Sequence, residues 1–333
     1  MSLPVADVGF AEATWIMVVK SVVIFAVVFA VLPMMTVLER KLIGRFQHRY
    51  GPNRVGPFGL LQPLADVGKL ISKEAFKPAN AISSLFILGP ALVVLSGVTA
   101  LAIIPFGDVK DGVGFYGIDV SIGILYFFAV GSIAFYGLLL GGWASGSRYS
   151  FLGAMRAAAQ LISYEVAMGL SLLGVIMMAG SLSLVDIVNA QDDVWFIIPQ
   201  LVGFVIFMVA GFAETNRTPF DLPEADAELV QGFQTEYGGM RFGSFLLVEY
   251  LEIIVVSGIG AAMFLGGWMG PGPGFLDPFW MALKIFLLTI FFIWIRATVP
   301  RLRYDQLMSL GWKVLLPLAT LNVLVTAVLI VVA

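Results

Sequence analysis

The stretch AETNRTPFDLPEADAELVQGFQTEYGG, from Ala213 to Gly239, gathers six carboxylates, Glu214, Asp221, Glu224, Asp226, Glu228 and Glu236, around a single cation, Arg217. It lies between two strongly apolar segments in a chain with few other acids. Glu165, Glu249 and Glu252 fall inside apolar runs, and Glu39 stands at the end of another. An ionisable side chain in lipid costs at least ~2.5 kcal/mol on insertion scales, and it usually faces a cavity or a partner. Glu249 and Glu252 are one helical turn apart. Glu165 comes nine residues after Arg156, about 13 Å along a helix axis. Closely spaced buried carboxyls titrate together and can share or pass protons. The pattern points to a wet, carboxylate-lined path from one membrane face to mid-membrane. Plainer alternatives stand beside it. The loop could be an acidic surface helix, with Asp221 as its cap and Pro223, Glu224 and Glu228 in its first turns. The buried acids could be isolated structural pairs. Lys284, alone in its apolar run, would either pair with one of these acids or mark a second polar site.

A second constellation is ERKLIGRFQHRYGPNRVGPFGLLQPLADVGKLISKEAFKP, starting at Glu39. Gly51, Pro52, Gly56 and Pro57 set turns. After them Leu60, Leu64, Val67 and Ile71 make one helical stripe, and Gln62, Asp66, Lys69, Lys73 and Lys77 make another. That pattern predicts an amphipathic helix lying at the membrane interface. A basic helix touching anionic lipid would account for the lysines. It would not account for Asp66 or for the rigid Gly/Pro loop. An apolar face at the interface suits a wall for a lipid-soluble ligand entering sideways from the bilayer.

The rest of the chain must position these groups. Of 333 residues, 59% are hydrophobic and 12% charged, against about 25% charged in soluble globular proteins. Runs of roughly 20 apolar residues, enough to span a bilayer, recur along it. Lipid admits only helices or closed barrels, and the runs are too long and uniform for barrel strands. The expected fold is an all-α integral membrane bundle of about eight helices forming one domain over 1–333. The spans are expected at about 13–38, 80–105, 120–143, 157–180, 194–213, 244–268, 278–298 and 314–333. Loops 39–79 and 214–243 lie on one face. The absence of Cys excludes disulfides and Cys-ligated iron–sulfur clusters, and one His, His48, leaves no His-based metal or haem site. The net charge of −3 points to no nucleic-acid partner. The N-terminus lacks a basic region before its first apolar run and reads as a retained helix.

Lys and Arg cluster in alternate loops. Arg40, Lys41, Arg45, Arg49, Arg54, Lys69, Lys73 and Lys77 follow the first span, and Arg148, Arg156, Arg217, Arg241, Arg301, Arg303 and Lys313 follow the third, fifth and seventh. The opposite loops carry only Lys110. Positive charge stays inside, so these loops are expected in the cytoplasm or a mitochondrial matrix, and both termini on the other side. The acidic loop sits on this face against the charge trend. No internal repeat is visible, which speaks against a secondary transporter.

LERKLIGRFQHRYGPNRVGPFGLLQPLADVGKL, GWASGSRYSFLGAMRAAAQLISYE, the acidic stretch and FIWIRATVPRLRYDQLMSLGWK together resemble the quinone-site membrane subunit of proton-pumping NADH:quinone oxidoreductase, respiratory complex I. The resemblance covers nearly the whole chain. It implies a component of a bacterial inner-membrane translocase, not catalytic alone, joining the membrane-arm subunits to the peripheral quinone-site subunits. No cofactor would be bound here; quinone is the substrate, and FMN and the iron–sulfur clusters belong to partner subunits. The implied quinone tunnel, framed by the first helix, the amphipathic helix and the sixth span, matches Glu39, Arg40, Arg45, Arg49, Gln62, Asp66, Lys69, Arg296 and Arg301. The implied coupling path matches Glu165, Glu214, Asp221, Glu224, Glu228, Glu249 and Glu252. Some relatives carry a Glu in the third span, near Ser132 here. A path through this chain would then lack a step, or use water held by Ser132 and Tyr136. Two rivals remain. One is the homologous membrane component of an energy-converting hydrogenase or ferredoxin-linked complex. The other is a structural anchor without quinone contact.

Overall fold

The computed structural model describes residues 14–110, 113–224 and 226–332. The N-terminal residues read as uncleaved, and the expected span ends at Ala13 and Ala333, lie outside them. The chain is an all-α multi-pass membrane protein. Seven helices among the described residues are long and apolar enough to cross a bilayer.

Helix α1 (Thr14–Phe46) runs well past the expected end at residue 38. Glu39, Arg40 and Lys41 are good helix formers, and no proline follows until Pro52. The amphipathic α2 (Gln62–Ser72) follows. α3 (Ser83–Leu101) and α4 (Gly123–Ala144) form a tight pair. A Cβ at Gly89 would stand 2.8 Å from Gly141 Cα, so glycine lets the two backbones touch. Between them lies a two-residue antiparallel pair, β1 (Val109–Lys110) and β2 (Val113–Gly114).

α5 (Arg148–Ala179) starts nine residues before the expected span, and the short α6 (Leu184–Asn189) follows it. The expected fifth span, 194–213, is instead a 14-residue helix, α7 (Leu201–Glu214). At 1.5 Å per residue it covers about 21 Å, short of the ~30 Å hydrocarbon core. Turns precede it, held by two buried glutamines. Gln191 accepts from Phe196 N at 3.2 Å and Gly266 N at 3.0 Å, and Gln200 donates to Thr326 at 2.7 Å.

α8 (Asp226–Leu229) is a single turn in the acidic loop. It begins five residues after Asp221, so Asp221 is not its cap. α9 (Gly239–Phe264) is the most enclosed long helix, and α10 (Asp277–Thr298) packs on it. α11 (Tyr304–Leu310) continues through a π turn at Gly311–Leu315 into α12 (Leu316–Val332). The core sits where α5, α7, α9 and α10 meet. α1 flanks it, giving Val28, Leu32 and Met35 to the core while Val18, Val22, Val27 and Val31 stay exposed.

Candidate functional site

The acidic loop is not a solvated surface helix; it folds back into the bundle. Gln160 on α5 is fully buried. Its amide nitrogen faces Ala213 O and Phe220 O at 2.8 Å each and Asn216 Oδ1 at 3.2 Å, more acceptors than its two hydrogens can serve at once. Further along, the loop lies flat on α5. A Cβ at Gly153 would meet Gly232 Cα at 2.7 Å. Gly232 itself has φ +55°, a left-handed conformation that favours glycine.

This packing drives Arg217 inward until it is only 6% exposed. Its guanidinium donates to both oxygens of Glu39, at 2.8 and 2.9 Å, and to Glu249 Oε2 at 3.4 Å. The same plane lies over the Tyr250 ring, 4.1 Å from its centre. Glu39, 2% exposed, also accepts from Tyr250 Oη at 2.6 Å and from Arg296. Burial works against the Arg217 charge, but Glu39 and Glu249 outweigh it and hold its pKa above the usual arginine range. On the far side, Gln234 Nε2 donates to Glu224 Oε1 at 2.8 Å and Glu249 Oε1 at 3.2 Å. Burial, with Glu249 and then Asp221 nearby, pushes the Glu224 carboxyl up to about 9. The raised carboxyl favours a proton on Glu224, whose Oε1 accepts from Gln234. The result is an ionic knot tying α1, the loop, α9 and α10.

From the knot the acids run inward. Glu252 is one turn beyond Glu249 on α9. It shares a cavity of about 30 Å³ with Glu214, Ser96 and Gly131, room for a water molecule, which needs ~10–15 Å³. Glu214 Oε2 is buried there without a hydrogen-bond partner among the described residues. Glu165 accepts from Ser132 Oγ at 3.3 Å, and the neighbouring Gly131 comes up to Glu214, whose Oε1 would stand 3.6 Å from a Cβ there. Ser132 thus reaches the acid line, whereas Tyr136 turns outward, 57% exposed.

An apolar groove of about 540 Å³ opens between α1 and α10. Its floor is the buried Val28, Met35, Ile254 and Ile285, and its rim the exposed Val27, Val31 and Phe286. The lining reaches Lys41 and Leu60. From Val27 to Lys41 it follows α1 for about 21 Å. Most of the second wall comes from α10, with Ile254 the α9 contribution.

The remaining predicted residues divide. Asp66 pairs with Arg40 at 3.0 Å and accepts from Gln62 at 3.1 Å. Arg40, not Lys69, is its observed partner. Leu60, Leu64, Val67 and Ile71 are all exposed, so the apolar stripe of α2 faces away from the bundle. Arg45, Arg49 and Lys69 are exposed, and Arg49 bonds only to Gln47, at 2.7 Å. Glu228 stands on the outside of the loop, between Arg156 at 2.6 Å and Arg301 at 3.7 Å, and Arg156 holds its carboxyl below the usual range. Glu228 and Arg301 are therefore separate from the knot, while Asp221 lies near Glu224. Lys284 pairs with no acid among the described residues. It donates to Leu265, Gly267 and Met269 carbonyls at 2.7–2.8 Å, closing the C-terminus of α9, where a cation is favoured.

Sequence reasoning missed Arg217, Gln160, Gln234 and Tyr250 as site residues. Arg217 carried a signal, being the one cation among six acids. The other three carried none.

Residues 19–327 match the family described as NADH dehydrogenase. Similar curated proteins include an H-type NADH-quinone oxidoreductase subunit of Geobacter sulfurreducens, 54% identical over 312 residues covering 92% of this chain and 94% of the relative. The corresponding protein of Syntrophobacter fumaroxidans is 50% identical over 319 residues, 93% of this chain and 95% of the relative. That of Thermomicrobium roseum is 49% identical over 319 residues, 90% and 92%.

Proposed function

The chain belongs to the NADH dehydrogenase family, and on that premise we propose that it is the membrane subunit through which an NADH:quinone oxidoreductase couples quinone reduction to proton translocation. It does no redox chemistry alone. Its partners are the other membrane-arm subunits and the peripheral subunits that carry FMN and the iron–sulfur clusters. It sits in a bacterial inner membrane, with the α2 and acidic-loop face in the cytoplasm and both termini opposite.

One observation carries the reading: an apolar groove, open along its rim, follows α1 from Val27 to Lys41, the stretch of helix that also carries the buried Glu39. Quinone is a polar ring on a hydrocarbon tail. The groove offers the tail a path from the bilayer, and Lys41, next on α1 to Arg40 and its partner Asp66, gives the ring a polar end. Reduction draws protons or shifts charge at that end. The hydrogen-bonded series Glu224–Gln234–Glu249, followed by Glu252, Glu214 and Glu165, supports relay of that change into the membrane. Ser132 stands where some relatives place an acid and closes the series on Glu165. An anchor without quinone contact would have no use for the groove.

The test is photoaffinity labelling of the assembled complex in its own membrane with a quinone analogue. Label on peptides of α1 and α10, displaced by native quinone, is expected. Label confined to other subunits would leave this chain as an anchor.

A further inference from the structure

The groove contains one hydroxyl. Its other lining residues are apolar except Lys41. The hydroxyl is that of Thr289 on α10, a residue only 3% exposed. Helical threonines elsewhere in the chain return their hydroxyl to the preceding turn. Thr99 donates to Leu95 O at 2.7 Å, Thr298 to Trp294 O at 3.0 Å and Thr320 to Leu316 O at 2.9 Å. Thr289 makes no such bond and has no hydrogen-bond partner among the described residues; it lines the groove instead. A hydroxyl without a partner in apolar surroundings is unfavourable, so a ligand that supplies an acceptor gains there. Valine would fill the same space without that penalty.

The position is informative too. Thr289 precedes Arg296 by seven residues, two turns, so both lie on nearly one face of α10 about 10 Å apart along its axis. Arg296 bonds to Glu39 in the knot. Along α10, Thr289 thus stands two turns before the residue that joins the knot.

We propose that Thr289 is a specificity-determining residue, donating its hydroxyl hydrogen to a ring carbonyl of quinone at a waypoint short of the knot. The inference rests on the groove being the quinone path. Its chemical content is discrimination. Phospholipid acyl chains fit the same walls but bring no acceptor to this depth. A carbonyl-bearing ring does, and so it alone is held.

The experiment uses the whole complex in native membranes, with Thr289→Val and Thr289→Ser. Val keeps the shape and removes the hydroxyl; Ser keeps the hydroxyl and removes a methyl. For a short-chain quinone, Thr289→Val is expected to raise KM about fivefold, the loss of one neutral hydrogen bond, with a smaller fall in kcat. Thr289→Ser should return KM to within about twofold of wild type. Photoaffinity labelling of the α10 peptide by a quinone analogue should weaken in the Val variant alone. Wild-type KM for Thr289→Val, or equal KM for Val and Ser, overturns the role of the hydroxyl. Absence of label on α1 and α10 in the wild type overturns the quinone path itself, and the two failures are told apart by that label.

Discussion

Removing the negative charge of Glu39 should release the acidic loop. Glu39 takes two hydrogen bonds from Arg217, one from Tyr250 and one from Arg296 while 2% exposed. In Glu39→Gln the amide group offers an NH2 to three donors and leaves Arg217 with Glu249 at 3.4 Å. Breaking a buried ion pair by removing one partner costs about 3–5 kcal/mol. Arg217 keeps Glu249 and the Tyr250 ring, so the lower end applies, about 3 kcal/mol, or roughly 150-fold in the opening equilibrium of the loop. Native-state hydrogen exchange of amides 217–235 in the purified complex reads that equilibrium. A second variant separates charge from packing. Arg217→Met alone leaves Glu39 with Arg296 and Tyr250 but removes the loop's own anchor, so it should open the loop as much or more. Glu39→Gln with Arg217→Met removes both charges and should cost far less than the sum, because buried pairs are not additive. Small single effects, each under about 1 kcal/mol and additive in the double variant, would refute the knot as the loop's fastening.

Other outcomes follow from the same geometry. Glu224 has a carboxyl pushed up to about 9, so the folded loop holds a proton that an opened loop releases above about 4.5. Loop stability should therefore fall as pH rises from about 5 to 9, and hydrogen exchange corrected for intrinsic rate should show that slope in wild type but not in Glu224→Gln. Asp66→Asn should preserve assembly on blue-native gels yet lower turnover with a short-chain quinone, because it loses the Arg40 ion pair. Glu165→Gln and Glu249→Gln should each reduce coupled turnover and pumping in reconstituted vesicles, with the double variant little worse than the worse single; wild-type pumping in all three would make these acids structural. Gly153→Val should destabilise loop docking by about 2–3 kcal/mol through overpacking, visible as faster proteolysis of the loop, because even a Cβ would crowd Gly232 Cα at 2.7 Å.

The bundle was legible because span length and charge scarcity are local properties of a sequence. The intramembrane acids stood out for the same reason. α2 was legible as two stripes, since both repeat at helical spacing; which stripe faces the bundle depends on what packs against it. The knot was not legible. Arg217 and Glu39 are 178 residues apart, and a loop arginine on a basic face counts as topology until Gln160 and Gly153 draw its loop inward. Gln160 itself is a neutral residue in an apolar helix, with no pattern to announce it. The fifth span looked complete because composition cannot distinguish a 14-residue helix from one whose turns are sealed by Gln191 and Gln200. Lys284 was legible as anomalous, but its partners are backbone carbonyls, which have no letter in the sequence.

The knot is also an electroneutral unit. Two guanidinium groups, Arg217 and Arg296, face two carboxylates, Glu39 and Glu249, with Glu224 as an uncharged fifth member. Its field at a distance is small while that balance holds. One proton gained or lost leaves a whole unit charge in a largely buried place, where salt screens it less than at the surface. At an effective dielectric constant near 20, such a charge acts on a group one helical turn away, roughly 6 Å, with about 3 kcal/mol. Glu252 occupies that position. A balanced cluster is thus quiet at rest and responds to single protons, and Glu252 carries that response one turn further along α9.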